Sequence, residues 1–65
     1  MYERYEALRN ERGMTDADVS RETGITAAAL CDWHNGRTKV PKVENLAKIA
    51  KLFHVPLEQL IGEVD

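Results

Sequence analysis

Hydrophobic residues recur at helical spacing along most of the chain, in short runs separated by glycine, proline or capping residues. Leu46, Ile49, Ala50 and Phe53 occupy positions i, i+3, i+4 and i+7, which is the spacing of one face of an α-helix. No stretch alternates polar and apolar residues for long enough to predict a strand. The pattern predicts helices at residues 2–12, 16–23, 27–34, from about 43 onward, and 57–61.

Capping residues sharpen these boundaries. Gly13 and Gly24 follow the first two predicted helices, where glycine commonly ends a helix. Thr15 can cap the second helix, with Asp18 three residues later in the capping-box position, and Thr26 can cap the third. We therefore predict an all-α fold, a compact five-helix bundle formed by residues 1–65 as a single domain.

Size and composition exclude several classes of protein. The chain has 65 residues, of which 43% are hydrophobic, so a small core is expected but not a second catalytic or effector domain. Its apolar runs fall far short of the roughly 20 residues that span a membrane, and no secretion leader opens the chain. The single cysteine fits a reducing compartment, so we expect a cytoplasmic protein.

Charge is distributed unevenly along the chain. The net charge is −2, yet residues 35–54 carry a net +4 between two segments of net −3. A positive field confined to one segment can contact phosphates of a nucleic acid. Lys48 and Lys51 are equally well explained as a solvated face of one helix.

The second and third predicted helices form a helix-turn-helix arrangement. They are joined by Gly24-Ile25-Thr26, a three-residue turn in which glycine can take the positive φ that the turn requires. Ile25 is expected to fill the core beneath the turn. Leu30 and Trp33, three residues apart, are expected to face inward.

Short motifs elsewhere occur in a fixed order around this turn. They are Leu8-Arg9, Met14-Thr15, Thr23-Gly24-Ile25, Trp33, Asn35-Gly36, Pro41, Glu44-Asn45-Leu46 and Phe53-His54-Val55-Pro56-Leu57. With them the chain resembles the phage Cro and repressor type of helix-turn-helix protein (XRE-like) over nearly its whole length. The resemblance implies a lambda-repressor-like domain that binds double-stranded operator DNA as a homodimer, with the third helix in the major groove.

The resemblance also implies roles for individual residues. The base-facing positions of the recognition helix (residues 27–34) are Ala27, Ala28, Cys31 and Asp32. The positions implied to contact DNA phosphates are Arg9, Thr26, Asn35, Arg37, Thr38 and Lys39. For the dimer interface we expect Leu57, Ile61 and Val64, with Leu60 as a further candidate. For Leu57 and Leu60 a place in the core is favoured over the dimer interface.

Several positions depart from the pattern of the family. Alanine can contact only the methyl group of thymine, whereas Asp32 can accept a hydrogen bond from a cytosine amino group. Asp16 places an anion where the family usually has a phosphate-binding glutamine. His34 replaces the usual glutamate partner of Arg9, which leaves Arg9 for a phosphate or for Glu6.

These observations predict a sequence-specific DNA-binding transcriptional regulator, a repressor of a phage, mobile element or small operon. The alternative is a helix-turn-helix domain repurposed as a protein-interaction module, with weak or no DNA binding. No enzyme is expected, because no nucleophile-base pair, phosphate loop or carboxylate pair is evident. No metal or other cofactor is expected either, since Cys31, His34 and His54 lack the fourth ligand of a structural zinc site.

Overall fold

The computed structural model describes residues 2–61, and in that range all regular secondary structure is helical. The five helices are α1 (Tyr2–Glu11), α2 (Asp16–Thr23), α3 (Ala27–His34), α4 (Val43–Phe53) and α5 (Leu57–Ile61). The predicted all-α bundle is confirmed. Its first helix ends one residue earlier than predicted, because the amides of Arg12 and Gly13 turn back to carbonyls only three residues away. No helix in residues 2–61 has the length and apolar character needed to cross a membrane.

The core gathers at least one buried side chain from each helix. Trp33 of α3 and Phe53 of α4 both pack near Tyr5 of α1, with ring centroids 5.1 and 6.3 Å from that of Tyr5. The predicted inward positions are confirmed, since Ile25, Leu30 and Trp33 are at most 5% exposed. The buried core consists of Tyr5, Val19, Ile25, Leu30, Trp33, Leu46, Ile49, Ala50, Phe53 and Leu60.

The start of α2 is held by the predicted capping box. The Asp18 amide donates to Thr15 Oγ1 at 3.2 Å, and the Thr15 amide donates to Asp18 Oδ2 at 3.0 Å. That hydrogen bond from the Thr15 amide, followed by one from Arg21, holds the pKa of the Asp18 carboxyl below its ordinary value. The capping box satisfies amides that a helix start otherwise leaves without partners.

The turn between α2 and α3 has the geometry that its sequence predicts. Gly24 has a φ of 82°, and its amide donates to Ser20 O at 2.9 Å. The Thr23 hydroxyl donates to Val19 O at 2.7 Å and accepts from the Ile25 amide at 3.2 Å. Thr26 then caps α3 through its Oγ1, which accepts from the Ala29 amide at 3.1 Å. These bonds fix the relative orientation of α2 and α3.

A contact between the ends of α1 and α4 was not evident in the sequence. Arg12 donates from Nη2 to the carbonyl oxygen of Phe53 at 2.8 Å, and its guanidinium carbon lies 5.1 Å from the centre of the Phe53 ring. A cation near the last carbonyls of a helix interacts favourably with the helix dipole. Arg12 therefore stabilises the end of α4 and joins it to the end of α1.

His54 ends α4 in a strained backbone conformation, which leads to a stability prediction. Within residues 2–61 it is the one non-glycine residue with positive φ, at 58°. A side chain in the left-handed region costs about 1–2 kcal/mol, part of which glycine recovers because it lacks Cβ. We expect His54→Gly to raise the free energy of unfolding by about 0.5–1 kcal/mol in urea titrations followed by circular dichroism. His54→Val is the control and should lower it, because β-branched residues tolerate positive φ poorly. A glycine variant less stable than the parent would contradict this account.

Candidate DNA-binding interface

The outer face of α3 carries small side chains. Ala27, Ala28 and Cys31 are exposed, while Leu30 and Trp33 on the same helix are buried in the core. The helix thus presents to solvent the residues that the sequence predicted to face bases. Their contact with DNA stays a prediction.

The segment after α3 is anchored to that helix by two backbone carbonyls, those of Asp32 and of Trp33, which accepts from the Gly36 amide at 3.2 Å. Gly36 has a φ of 82°, and the amides of Arg37 and Thr38 both donate to Asp32 O, at 2.9 and 3.1 Å. Arg37 and Lys39 are exposed and Thr38 is half-buried. We call residues 36–39 the basic loop. Because the loop is bound to α3, the Arg37 guanidinium lies beside Asp32 of that helix.

Asp32 also contacts the basic loop through its side chain. Arg37 Nη1 donates to Asp32 Oδ1 at 3.1 Å, in a pair whose side chains are 71% exposed for arginine and 42% for aspartate. This ion pair joins a residue predicted to face bases with one predicted to contact phosphates. Sequence reasoning treated the two separately and missed the pair, although their spacing of five residues across Asn35-Gly36 permits it.

Thr26 and Asn35, at the two ends of α3, each form a side-chain hydrogen bond with a residue of that helix. Thr26 uses its oxygen as the helix cap, and its hydroxyl hydrogen stays available as a donor. Asn35 Nδ2 donates to Cys31 Sγ at 3.3 Å, and both residues are exposed. Neither contact excludes the predicted phosphate contacts of Thr26 and Asn35, which remain predictions.

Arg9 makes contacts within the fold, and its predicted contact with a phosphate stays a prediction. Its side chain is only 14% exposed; Nε lies 3.2 Å from Asp16 Oδ1, and Nη1 donates to Met14 O at 3.1 Å. Nη2 lies 3.7 Å from Glu6 Oε2, so the alternative partner named from the sequence is confirmed. The guanidinium is therefore used within the fold, where it ties α1 to the start of α2.

The negative charge of Asp16 therefore repels DNA less than its position in the sequence indicates. Its Oδ1 accepts from the Tyr5 hydroxyl at 2.6 Å and faces the Arg9 guanidinium. Burial, and after it the hydrogen bond to Asp16, raises the pKa of Tyr5, so this hydroxyl stays protonated and donates. Arg9 compensates the negative charge of Asp16 locally.

His34, which stands where the family has glutamate, lies against an aromatic ring. Its ring stacks on Tyr2 with centroids 4.7 Å apart and an interplanar angle of 3°. Tyr2 also makes edge contacts with Tyr5 and Trp33, at 5.4 and 5.3 Å. Tyr2 and Trp33 thus pack against other rings of the domain.

The residues expected at a dimer interface differ in exposure. Leu60 is fully buried in the core, as the favoured expectation had it, and Leu57 packs half-buried against the core. Ile61 is 41% exposed. Val64 lies outside the described residues. Among the described members of this set, Ile61 is the most exposed.

Residues 2–61 were expected to contain no metal site, and their possible ligands are histidine, cysteine and acidic side chains. No three histidine, cysteine or acidic side chains in that range are grouped so as to hold an ion. Cys31 is a free thiol on the exposed face of α3. The chemistry of this surface is therefore that of small apolar side chains beside a basic loop.

Comparison with known proteins agrees with this geometry. A helix-turn-helix family model matches residues 6–60, most of the chain. Over 59 residues the chain is 34% identical to the HTH-type transcriptional repressor RghR of Bacillus subtilis (strain 168); the match covers 91% of this chain but 44% of that repressor. No solved structure matches significantly. The chain spans less than half of its relative, yet the extent of the family match and the geometry of α2 and α3 show that it belongs to the XRE-type helix-turn-helix family.

Proposed function

We propose that the chain is a sequence-specific DNA-binding transcriptional regulator, a repressor that binds a two-fold operator as a homodimer. In this proposal α3 lies in the major groove and the basic loop contacts the phosphates beside it. The proposal rests on one observation above all: Asp32 binds the basic loop directly to α3 through three hydrogen bonds. A helix that enters the groove therefore carries its phosphate-binding cations with it.

Further observations support this function. The family comprises helix-turn-helix domains, and the similar protein from Bacillus subtilis is a transcriptional repressor. At the start of α4, Lys42 makes no side-chain cap, so the first amides of that helix can donate to a phosphate. Within residues 2–61 Lys39 forms no ion pair and remains available for the same purpose.

Base reading in this proposal relies on few groups. Ala27 and Ala28 offer methyl groups that can contact thymine, and Asp32 offers an acceptor for cytosine. Phosphate contacts supply a large share of the affinity, so binding should weaken steeply as salt increases. The remaining discrimination comes from the shape of the DNA between half-sites.

The proposal is tested by selecting binding sites from random duplex DNA at near-physiological salt and sequencing what is retained. We expect a two-fold symmetric motif whose half-sites lie about one helical turn apart. DNA retained without any enriched motif would contradict sequence specificity. If no DNA is retained, the regulator is excluded and the second function below is favoured.

A second function, binding of another protein, is favoured by exposed apolar side chains. Besides Ala27 and Ala28, Val40 is 63% exposed and Val43 70% exposed, on either side of Pro41. Exposed apolar surface of this kind can mark a protein contact. Single exposed hydrophobic residues are also common on soluble domains, which is why this function comes second.

A further inference from the structure

Asp32 holds the basic loop and is also predicted to face the bases of DNA. Its carbonyl oxygen accepts from the amides of Arg37 and Thr38, and its carboxylate accepts from Arg37 Nη1 at 3.1 Å. Its side chain is nevertheless 42% exposed on the helix that the proposed function places in the major groove. The same residue therefore shapes the basic loop and presents a negative charge to DNA.

A phosphate and the Asp32 carboxylate compete for the same guanidinium. Arginine binds a phosphate best through two parallel N–H donors, and one of its Nη groups is here already engaged by Asp32. A phosphate approaching Arg37 also meets the repulsion of the nearby carboxylate. Binding of Arg37 to the DNA backbone therefore requires at least part of the ion pair to be exchanged.

We propose that Asp32 determines specificity by holding Arg37 in an ion pair that DNA phosphates must break. This inference rests on the proposed function. On non-cognate DNA nothing replaces Arg37 at the carboxylate, so the ion pair persists and Arg37 contributes no phosphate contact. On a cognate site a cytosine amino group donates to the carboxylate and replaces Arg37, which then binds the phosphate. Asp32 thus lowers affinity for random DNA more than for the operator.

The test is a double-mutant cycle on Asp32 and Arg37, measured by fluorescence anisotropy with a labelled random-sequence duplex. We expect Asp32→Ala to tighten binding by about two- to fivefold for each protomer, the range expected for release of an exposed ion pair. The slope of log affinity against log salt should steepen by about one per protomer, because Arg37 gains a phosphate. In an Arg37→Ala background, Asp32→Ala should have a much smaller effect on both quantities.

A charge-matched control separates this mechanism from a change in net charge. Glu11→Ala removes an exposed acidic side chain at the end of α1, away from the basic loop. Equal tightening by Glu11→Ala and Asp32→Ala, or an Asp32→Ala effect that survives in the Arg37→Ala background, would overturn the inference. Unchanged or weaker binding of folded Asp32→Ala would overturn it as well. Circular dichroism establishes that each variant is folded, and Asp32→Asn provides an isosteric second variant.

Sequence selection supplies the second half of the test. The sites selected by Asp32→Ala should lose a cytosine preference that the parent protein shows in each half-site. A parent motif without a cytosine dependent on Asp32 would overturn the inference while leaving the regulator intact. A parent protein that binds no duplex at all would contradict the proposed function itself, so the two failures are distinguishable.

Discussion

Replacing Arg37 and Lys39 by glutamate is expected to abolish detectable binding to duplex DNA at near-physiological salt. Both side chains are exposed on the basic loop, and Arg37 lies within 3.1 Å of α3 at Asp32. A dimer would lose four phosphate contacts and gain four repulsive charges. We expect affinity to fall by at least about a hundredfold, with a shallower dependence on salt. Fluorescence anisotropy with a labelled duplex across a salt series measures both.

A matched charge reversal controls for net charge. Lys48 and Lys51 are exposed on α4, outside the basic loop, and Lys48→Glu with Lys51→Glu changes the net charge by the same amount. This control should retain most of the affinity. Equal losses in the two double variants would show that binding follows net charge and not the basic loop.

Phe53→Ala is expected to leave most of the protein unfolded. The ring is fully buried, packs near Tyr5, and lies beneath the Arg12 guanidinium. Truncating a buried phenylalanine costs about 3–5 kcal/mol through lost burial and the resulting cavity. A domain of this size has a total stability of about the same magnitude, so little folded protein should remain.

The neighbouring Leu52 provides the control for this prediction. Its side chain is only half-buried against the core, so Leu52→Ala should cost clearly less and leave a cooperative unfolding transition. Thermal and urea unfolding followed by circular dichroism compare the two variants. A Phe53→Ala protein as stable as Leu52→Ala would mean that the core is not organised around this ring.

The helices could be predicted from the sequence because their signals are local. Gly24 and the Thr26 cap act within a few residues, and the apolar spacing of α4 selects one buried face. The contact between Arg12 and Phe53 joins residues 41 positions apart. A contact of this kind leaves no periodic trace in a sequence, so only the packed structure shows it.

The candidate site was predictable in its positions but not in its interactions. Family resemblance pointed to the exposed residues of α3 and to the basic loop. It could not show that Arg9 would turn to Asp16, since the usual glutamate is absent and the replacement partner lies on another helix. It likewise assigned Asp32 to bases alone, because the sequence does not reveal that Arg37 folds back across the turn.

The most direct test of the central claim is a titration of isotope-labelled protein with duplex DNA, followed by the backbone amide chemical shifts. If α3 and the basic loop form the DNA-binding surface, the largest changes should fall at residues 26–32 and 36–39, with small changes around Lys48 and Lys51 of α4. Absence of any change at saturating duplex, or changes concentrated away from α3 and the basic loop, would contradict the claim that this helix-turn-helix binds DNA through these residues.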